Sequence, residues 1–286
     1  MDQRIINLFD EYTHKPLTRS EFITRLAKLT GSLTAAMSVL PLLEVNSAQA
    51  GIIAPDDVDL ITEDITYPGD SGAMKGYLAQ SKSIKGKRGA VLVIHENRGL
   101  NPHIKDIARR VAKAGYLALA PDALSPLGGT PQNEDEARDM ISKLDATKNL
   151  HNFLKGLAFI RDRKESNGKT GCVGFCWGGA MANQLAINDP ALKAAVAYYG
   201  RQPEAAEVPK IKATVQLHYG GLDERVNAGI PAYKEALEAA GVKHELYIYE
   251  GAQHAFNNDT APTRYNETAA KLAWDRTSRL FSETLK

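Results

Sequence analysis

Cys176 stands in the stretch Gly174-Phe175-Cys176-Trp177-Gly178. This is the G-x-C-x-G form of the nucleophile elbow, lying between the apolar run "KTGCVGF" and the helix-like run "WGGAMANQL". A strand-to-helix turn this sharp lifts the middle side chain above the sheet, and side chains at 174 and 178 would meet neighbouring backbone. The turn also sets the sulfur at a helix N-terminus, where the dipole favours thiolate. A free thiol titrates at about 8.5 and is only a few per cent ionised near neutrality, so such a nucleophile needs a base. An elbow predicts its partners in the chain order acid, then histidine. Asp223 follows the strand-like "ATVQLHYG" in "GGLDERV", and His254 follows the strand-like "KHELYIYEG" in "AQHAF". The expected catalytic set is Cys176, His254 and Asp223, with His254 taking the thiol proton and Asp223 fixing the imidazole tautomer.

Competing uses of the two cysteines are weaker. Two cysteines do not make a disulfide framework. Cys172 and Cys176 have no second Cys/His pair at ligand spacing, so no metal and no cofactor is expected. A redox-sensing pair would need Cys172 within reach, yet it belongs to the strand and should point into the sheet. The net charge of +1 gives no field that would favour nucleic acid or an anionic membrane.

The elements that must position these residues alternate from residue 60 onward. "LITEDITY" and "KGYLAQS" read as a strand pair around "PGDSG". "GAVLVIH" is a continuous apolar run, as in a strand covered on both faces. "IKDIARRVAKAG", "NEDEARDMISKL", "NLHNFLKGLAFIRDR", "AGIPAYKEALEAAG" and "NETAAKLAWDRTSRLF" have helical spacing, and "YLALAPD" and "KAAVAYYG" are further strands. Strands alternating with crossover helices imply an α/β fold, a mostly parallel central sheet with helices on both faces.

The first fifty residues differ. "MDQRIINLFDEYTHKPL" reads as a short amphipathic helix. Basic residues, an apolar stretch from Leu29 to Leu43 and Ala48-Gln49-Ala50 then follow in the order of an export signal with its cleavage site. Thr18-Arg19-Ser20-Glu21-Phe22-Ile23 resembles a twin-arginine signal with one arginine in place of two. The other reading is a helical arm packed on the domain or on a second subunit. The expected division is therefore 1–50, arm or weakened export signal, and 51–286, catalytic domain, with a cytoplasmic or periplasmic location. No stable membrane span is expected, because the apolar stretch is shorter than about 20 residues.

From about residue 60 to the C-terminus the chain resembles the dienelactone hydrolase family of the α/β-hydrolase superfold. The resemblance rests on "VIHENRGLNPHIKDIARRVAKAGYLALAPD", "GFCWGGAM", "GGLDERV" and "EGAQHAF". It implies a metal-free enzyme that opens lactones or cleaves esters. It further implies that Glu96 interacts with the resting cysteine and helps control its ionisation, and that the backbone N–H groups of Asn97 and Trp177 form the oxyanion hole. Without the family, Glu96 still ends an apolar strand on the same edge as the elbow, where carboxylates acquire proton-handling roles. His95 and His103 flank it and read as structural or pocket-lining. The resemblance also calls for two substrate-binding arginines. Arg138 matches one, and Asn257 and Asn258 stand where the other is expected. Arg98 or Arg201 could substitute. Trp177, Tyr198 and Tyr199 lie near strand ends, and Trp177 and Tyr199 are the expected apolar walls of the substrate site.

The expected activity is a cysteine-dependent hydrolase of lactones or small carboxylic esters. The alternatives are a thioesterase or general carboxylesterase, and a non-catalytic scaffold with a redox-sensing Cys176. The expected partner is a small molecule rather than nucleic acid, and the expected assembly a monomer or homodimer.

Overall fold

In the computed structural model, all residues are described except Pro16, residues 45–50 and Ser71. Eight strands form one sheet: β1 (Leu60–Pro68), β2 (Ala73–Ser81), β3 (Arg88–Ile94), β4 (Leu117–Pro121), β5 (Ser166–Phe175), β6 (Ala194–Tyr198), β7 (Thr214–Gly220) and β8 (His244–Tyr249). Their order across the sheet is β1-β2-β4-β3-β5-β6-β7-β8. The first pairings, β1 with β2 and β2 with β4, are antiparallel, and all the others are parallel. A hairpin needs only a short turn, whereas each parallel pair needs a crossover, and the helices supply those crossovers.

Residues of β3 alternate between two cores. Ala90, Leu92 and Ile94 face a core covered by α6 (Ala146–Arg161), α7 (Trp177–Asn188) and α9 (Ile230–Ala239). Val91 and Val93 face the opposite core, covered by α4 (Pro102–Lys113) and α10 (Glu267–Leu285). Both faces of the strand are therefore buried, which is why it reads as an unbroken apolar run. Asn101 caps α4 by accepting from the Ile104 N–H, and Asp145 caps α6 by accepting from the Lys148 N–H. A shorter helix, α5 (Glu134–Ile141), stands beside the sheet's carboxyl edge, and a four-residue helix, α8 (Glu224–Asn227), directly follows Asp223.

The N-terminal segment forms three helices, α1 (Gln3–His14), α2 (Arg19–Thr30) and α3 (Leu33–Leu43). They share a small core of their own, in which Phe9, Tyr12, Phe22, Leu26, Leu40 and Leu43 are buried. Thr18 and Glu21 cap α2 reciprocally, so the twin-arginine-like stretch is a helix start with Phe22 turned into this core. No single described helix is long and apolar enough to cross a membrane; α2 and α3 reach that length and composition only together, and they meet at 111°. The expected cleavage site at Ala48-Gln49-Ala50 lies outside the described residues.

Candidate active site

Strand β5 ends at Phe175 and α7 starts at Trp177, so Cys176 is the whole connection. Its backbone is held at φ 55° and ψ −112°, a conformation that costs a non-glycine residue about 1–3 kcal/mol. The surroundings hold it there. The Cys176 N–H donates to the Tyr198 carbonyl at 3.0 Å, and the Ala180 N–H donates to the Cys176 carbonyl at 3.1 Å, starting α7. The two flanking glycines are required sterically. A Cβ at Gly174 would lie 1.9 Å from the Gly178 carbonyl oxygen, and one at Gly178 would lie 2.4 Å from that of Ile94. The sulfur stands at the N-cap of α7 with Trp177 in the first helical position, where backbone N–H groups have no partner within the helix.

His254 lies in the loop after β8. Its Nδ1–H donates to Asp223 Oδ2 at 2.5 Å, and both residues are buried. A carboxylate can only accept, so the other ring nitrogen, Nε2, carries the lone pair when the ring is neutral. That Nε2 is buried with no hydrogen-bond partner among the described residues. Asp223 also caps α8 through Oδ1, accepting from the Val226 N–H at 3.2 Å, which fixes the carboxylate.

The sulfur has a neighbour that sequence reasoning did not find. His14, the last residue of α1, places Nε2 3.0 Å from Cys176 Sγ. Its Nδ1–H donates to the Asp10 carbonyl at 2.8 Å, with Asp10 Oδ1 3.1 Å away. Arg225, on α8, holds the other oxygen of Asp10 at 2.9 Å. Burial opposes a charged His14, but the adjacent Cys176 sulfur and Asp10 outweigh it and raise the imidazole pKa. Burial likewise pushes the Asp10 carboxyl up, yet His254, His14 and Arg225 hold it well below the usual carboxylate range. The His14 and His254 rings meet edge to face, their centroids 4.7 Å apart.

The sulfur and one ring nitrogen of each histidine lie within 4.8 Å of one another, the one such cluster of potential metal-ligating groups among the described residues. Two ligands on a tetrahedral zinc, bound at the usual lengths, would stand about 3.5 Å apart. The 3.0 Å separation of His14 and Cys176 is that of a hydrogen-bonded acid–base pair.

Glu96 is buried beside this cluster. Tyr199 donates its hydroxyl to Glu96 Oε1 at 3.2 Å, and Asn258 donates to Oε2 at 2.9 Å. Asn258 thus occupies its position by holding the carboxylate. Tyr199 is fully buried at φ 40°, stacks obliquely on His254, and has its hydroxyl pKa raised well above the ordinary value, first by burial and then by Glu96. Tyr198 instead turns into the core, where its hydroxyl meets Thr277 at 2.8 Å. His95 is structural: its Nδ1–H donates to the Glu96 carbonyl at 2.5 Å, Nε2 accepts from the Ala123 N–H at 3.1 Å, and its ring stacks on Trp177. His103 pairs with Asp259, and Arg98 with Asp135 and the Glu134 carbonyl.

A cavity of about 930 Å³ opens over the sulfur. Asn97, Arg138, Trp177, Tyr199 and Arg201 line it from the domain, and Tyr12 and His14 line it from α1. The guanidinium of Arg138 sits 4.3 Å over the Tyr12 ring and donates to the Tyr12 carbonyl at 3.2 Å. The Asn97 side chain donates to the Thr13 carbonyl at 2.7 Å. The end of α1 is therefore part of the cavity wall. The signal that could have pointed to it was the amphipathic face of residues 3–14, with Asp10 and His14 one turn apart; nothing local showed which surface that face would meet.

A mostly parallel sheet, a cysteine elbow after β5 and a histidine–carboxylate pair on the following loops define an α/β-hydrolase. Comparison with known proteins makes this specific. The model of the dienelactone hydrolase family matches residues 74–285, and the chain belongs to that family of ester hydrolases. A candidate carboxymethylenebutenolidase of Methylorubrum extorquens is 32% identical over 275 residues, covering 91% of this chain and 94% of its own. The candidate hydrolase fragment YghX of Escherichia coli K12 is 48% identical over 114 residues, covering 39% of this chain and 97% of its own. Among solved structures, a candidate dienelactone hydrolase of Klebsiella pneumoniae superposes with TM-score 0.71 at 28% identity, covering 78% of this chain and 98% of its own. A dienelactone hydrolase-like promiscuous phosphotriesterase from metagenomic libraries superposes with TM-score 0.73 at 25% identity, covering 80% of this chain and all of its own. About a fifth of this chain thus has no counterpart in these two structures.

Proposed function

We propose that this hydrolase opens lactones or cleaves small carboxylic esters, with Cys176 as nucleophile and His254, held by Asp223, as an acid–base partner. The observation that carries the reading is the strained elbow: a cysteine held at φ 55° between glycines where a Cβ would collide with backbone, at a helix N-terminus under a cavity. A structural thiol gains nothing from that strain, whereas a nucleophile gains access and a stabilising dipole. The backbone N–H groups of Asn97 and Trp177 are assigned to the oxyanion, each worth about 10²–10³ in rate. Arg138 and Arg201 on the cavity wall suit a substrate bearing a carboxylate, while Trp177 and Tyr199 suit its apolar part.

The test is a panel of lactones, dienelactones and p-nitrophenyl esters, run on wild type, Cys176→Ala and His254→Ala. Each variant should lose on the order of 10³-fold or more in turnover, and the double variant should be little worse than either single one. Intact-mass analysis of wild type should show an acyl adduct on Cys176. Wild-type rates in Cys176→Ala would sink the proposal.

A further inference from the structure

We infer that α1 supplies a second catalytic histidine, His14, and that two imidazoles divide the proton transfers that one usually performs. The inference rests on the thiol reading above and deepens it. A carboxylate stands behind each ring: Asp10 beside His14, and Asp223 beside His254. Only His14 is within hydrogen-bond distance of the sulfur. His254 presents a buried Nε2 with no partner among the described residues. A single-histidine mechanism leaves the first contact without a purpose.

The geometry assigns the steps. The cycle starts once the Cys176 thiol has passed its proton to His14 Nε2, its hydrogen-bond partner. The thiolate attacks the ester carbonyl, a C–S bond forms, and the carbonyl electron pair moves to oxygen. As the carbonyl re-forms, the C–O bond breaks and the departing alkoxide takes the proton from His14, leaving as alcohol. The acyl group is now a thioester on Cys176, and His14 is neutral. Water then gives a proton to His254 Nε2 while its oxygen attacks the thioester carbonyl. Collapse breaks the C–S bond, releases the carboxylic acid and restores the thiolate. The proton on His254 returns to His14, whose ring stands edge to face against it. The sum is ester plus water to acid plus alcohol, with no other reactant.

This division explains the anchoring of α1. Asp10 is tied to Arg225 on α8, the Thr13 carbonyl to Asn97 and the Tyr12 carbonyl to Arg138. These contacts fix residues 10 to 14 against α8, α5 and the loop after β3, as a proton donor aimed at one sulfur requires. The acylation half then depends on α1, and the deacylation half on His254 in the loop after β8.

Rapid mixing of the full chain with two esters of one acid separates the halves. One ester releases p-nitrophenolate, which leaves without a proton; the other releases an aliphatic alkoxide, which needs one. His14→Ala should slow acylation of the aliphatic ester by about 10²-fold or more, and that of the p-nitrophenyl ester far less. His254→Ala should keep its p-nitrophenol burst and accumulate acyl-Cys176, seen by intact mass, with deacylation slowed by about 10³-fold or more. His14→Gln, which keeps a side chain of similar reach, should share the leaving-group dependence of His14→Ala. Equal loss on both esters would show that α1 acts only through structure and would overturn the inference. So would an unchanged His14→Ala, or a His254→Ala that forms no acyl-enzyme. If Cys176→Ala itself retained turnover, the thiol reading would fail instead, so the two failures are distinct.

Discussion

Cys172 and Cys176 are four residues apart in the chain and opposite in circumstance. Cys172 sits within β5, fully buried, paired in the sheet with Leu92 and Ala195. Its side chain enters the core under α6, α7 and α9, and burial pushes its thiol far up, away from the thiolate form. Cys176 belongs to the opposite core cluster, at a helix N-terminus, with an imidazole 3.0 Å from its sulfur and a cavity above it. The same atom type is thus a small apolar filler in one place and a candidate nucleophile in the other. Backbone placement makes the difference: residues along β5 alternate faces, and only the residue beyond its end is free to turn outward.

The largest expected contrast is in alkylation. Iodoacetamide reaches Cys176 through the cavity, but it reaches Cys172 only when the sheet opens. Core opening requires a free energy near that of global unfolding, several kcal/mol, so the native rates should differ by about 10³-fold or more. Peptide mapping after timed labelling measures the ratio. Comparable rates would place both thiols in one kind of environment and end the comparison.

The next effect is on the elbow itself. Gly178→Ala would push a methyl group to 2.4 Å from the Ile94 carbonyl oxygen, so β3 or the turn must shift. Overpacking of this kind costs about 1–3 kcal/mol, and the displaced sulfur should lose turnover with it. Chemical unfolding together with ester turnover checks both; a variant that kept both would mean that Cys176 needs no such tight turn.

A smaller effect sharpens the role of the cavity. If Arg138 binds a substrate carboxylate, Arg138→Ala should cost an anionic ester about ten- to a hundredfold more in kcat/KM than a neutral ester of equal size. The ratio of the two esters is the readout. The same ratio in both proteins would mean that Arg138 serves the Tyr12 contact alone.

The two cysteines also show what could be read from the chain. The fold was legible because period and punctuation are local: the apolar run of β3, the helix from Trp177 to Asn188 and the antiparallel pair at the start all appear in the sequence pattern. Asp223 and His254 were legible because an elbow imposes a chain order, and the structure brings them to 2.5 Å. His14 was not legible, because its contact with Cys176 spans 162 residues and no periodicity links the two. The segment around it also carries the composition of an export signal, which hides that Phe9, Tyr12 and Phe22 share a core. Arg138 was legible as a residue but not as a partner of Tyr12, since that contact depends on where α1 settles.

The smallest expected effects give the sharpest separation, because they have opposite signs at the two cysteines. Cys172→Ala removes one buried heavy atom from a close-packed core. Deletions of that size cost about 0.5–1.5 kcal/mol, so the denaturation midpoint should fall with an unchanged slope. Turnover should stay as in wild type, because Cys172 touches neither the cavity nor the elbow. Cys176→Gly should do the reverse. A cysteine at φ 55° and ψ −112° carries about 1–3 kcal/mol of backbone strain that glycine relieves. Glycine's greater freedom in the unfolded chain returns about 0.5–1 kcal/mol of that gain. Measured against Cys176→Ala, which loses the same sulfur contacts, the net expectation is a protein more stable by about 1 kcal/mol, and neither variant should turn over ester. Unfolding midpoints and turnover measured on these three variants and wild type form the complete comparison. A Cys176→Gly protein less stable than Cys176→Ala would show that the elbow is not strained, and the case for a residue held there for its chemistry would lose its main physical support.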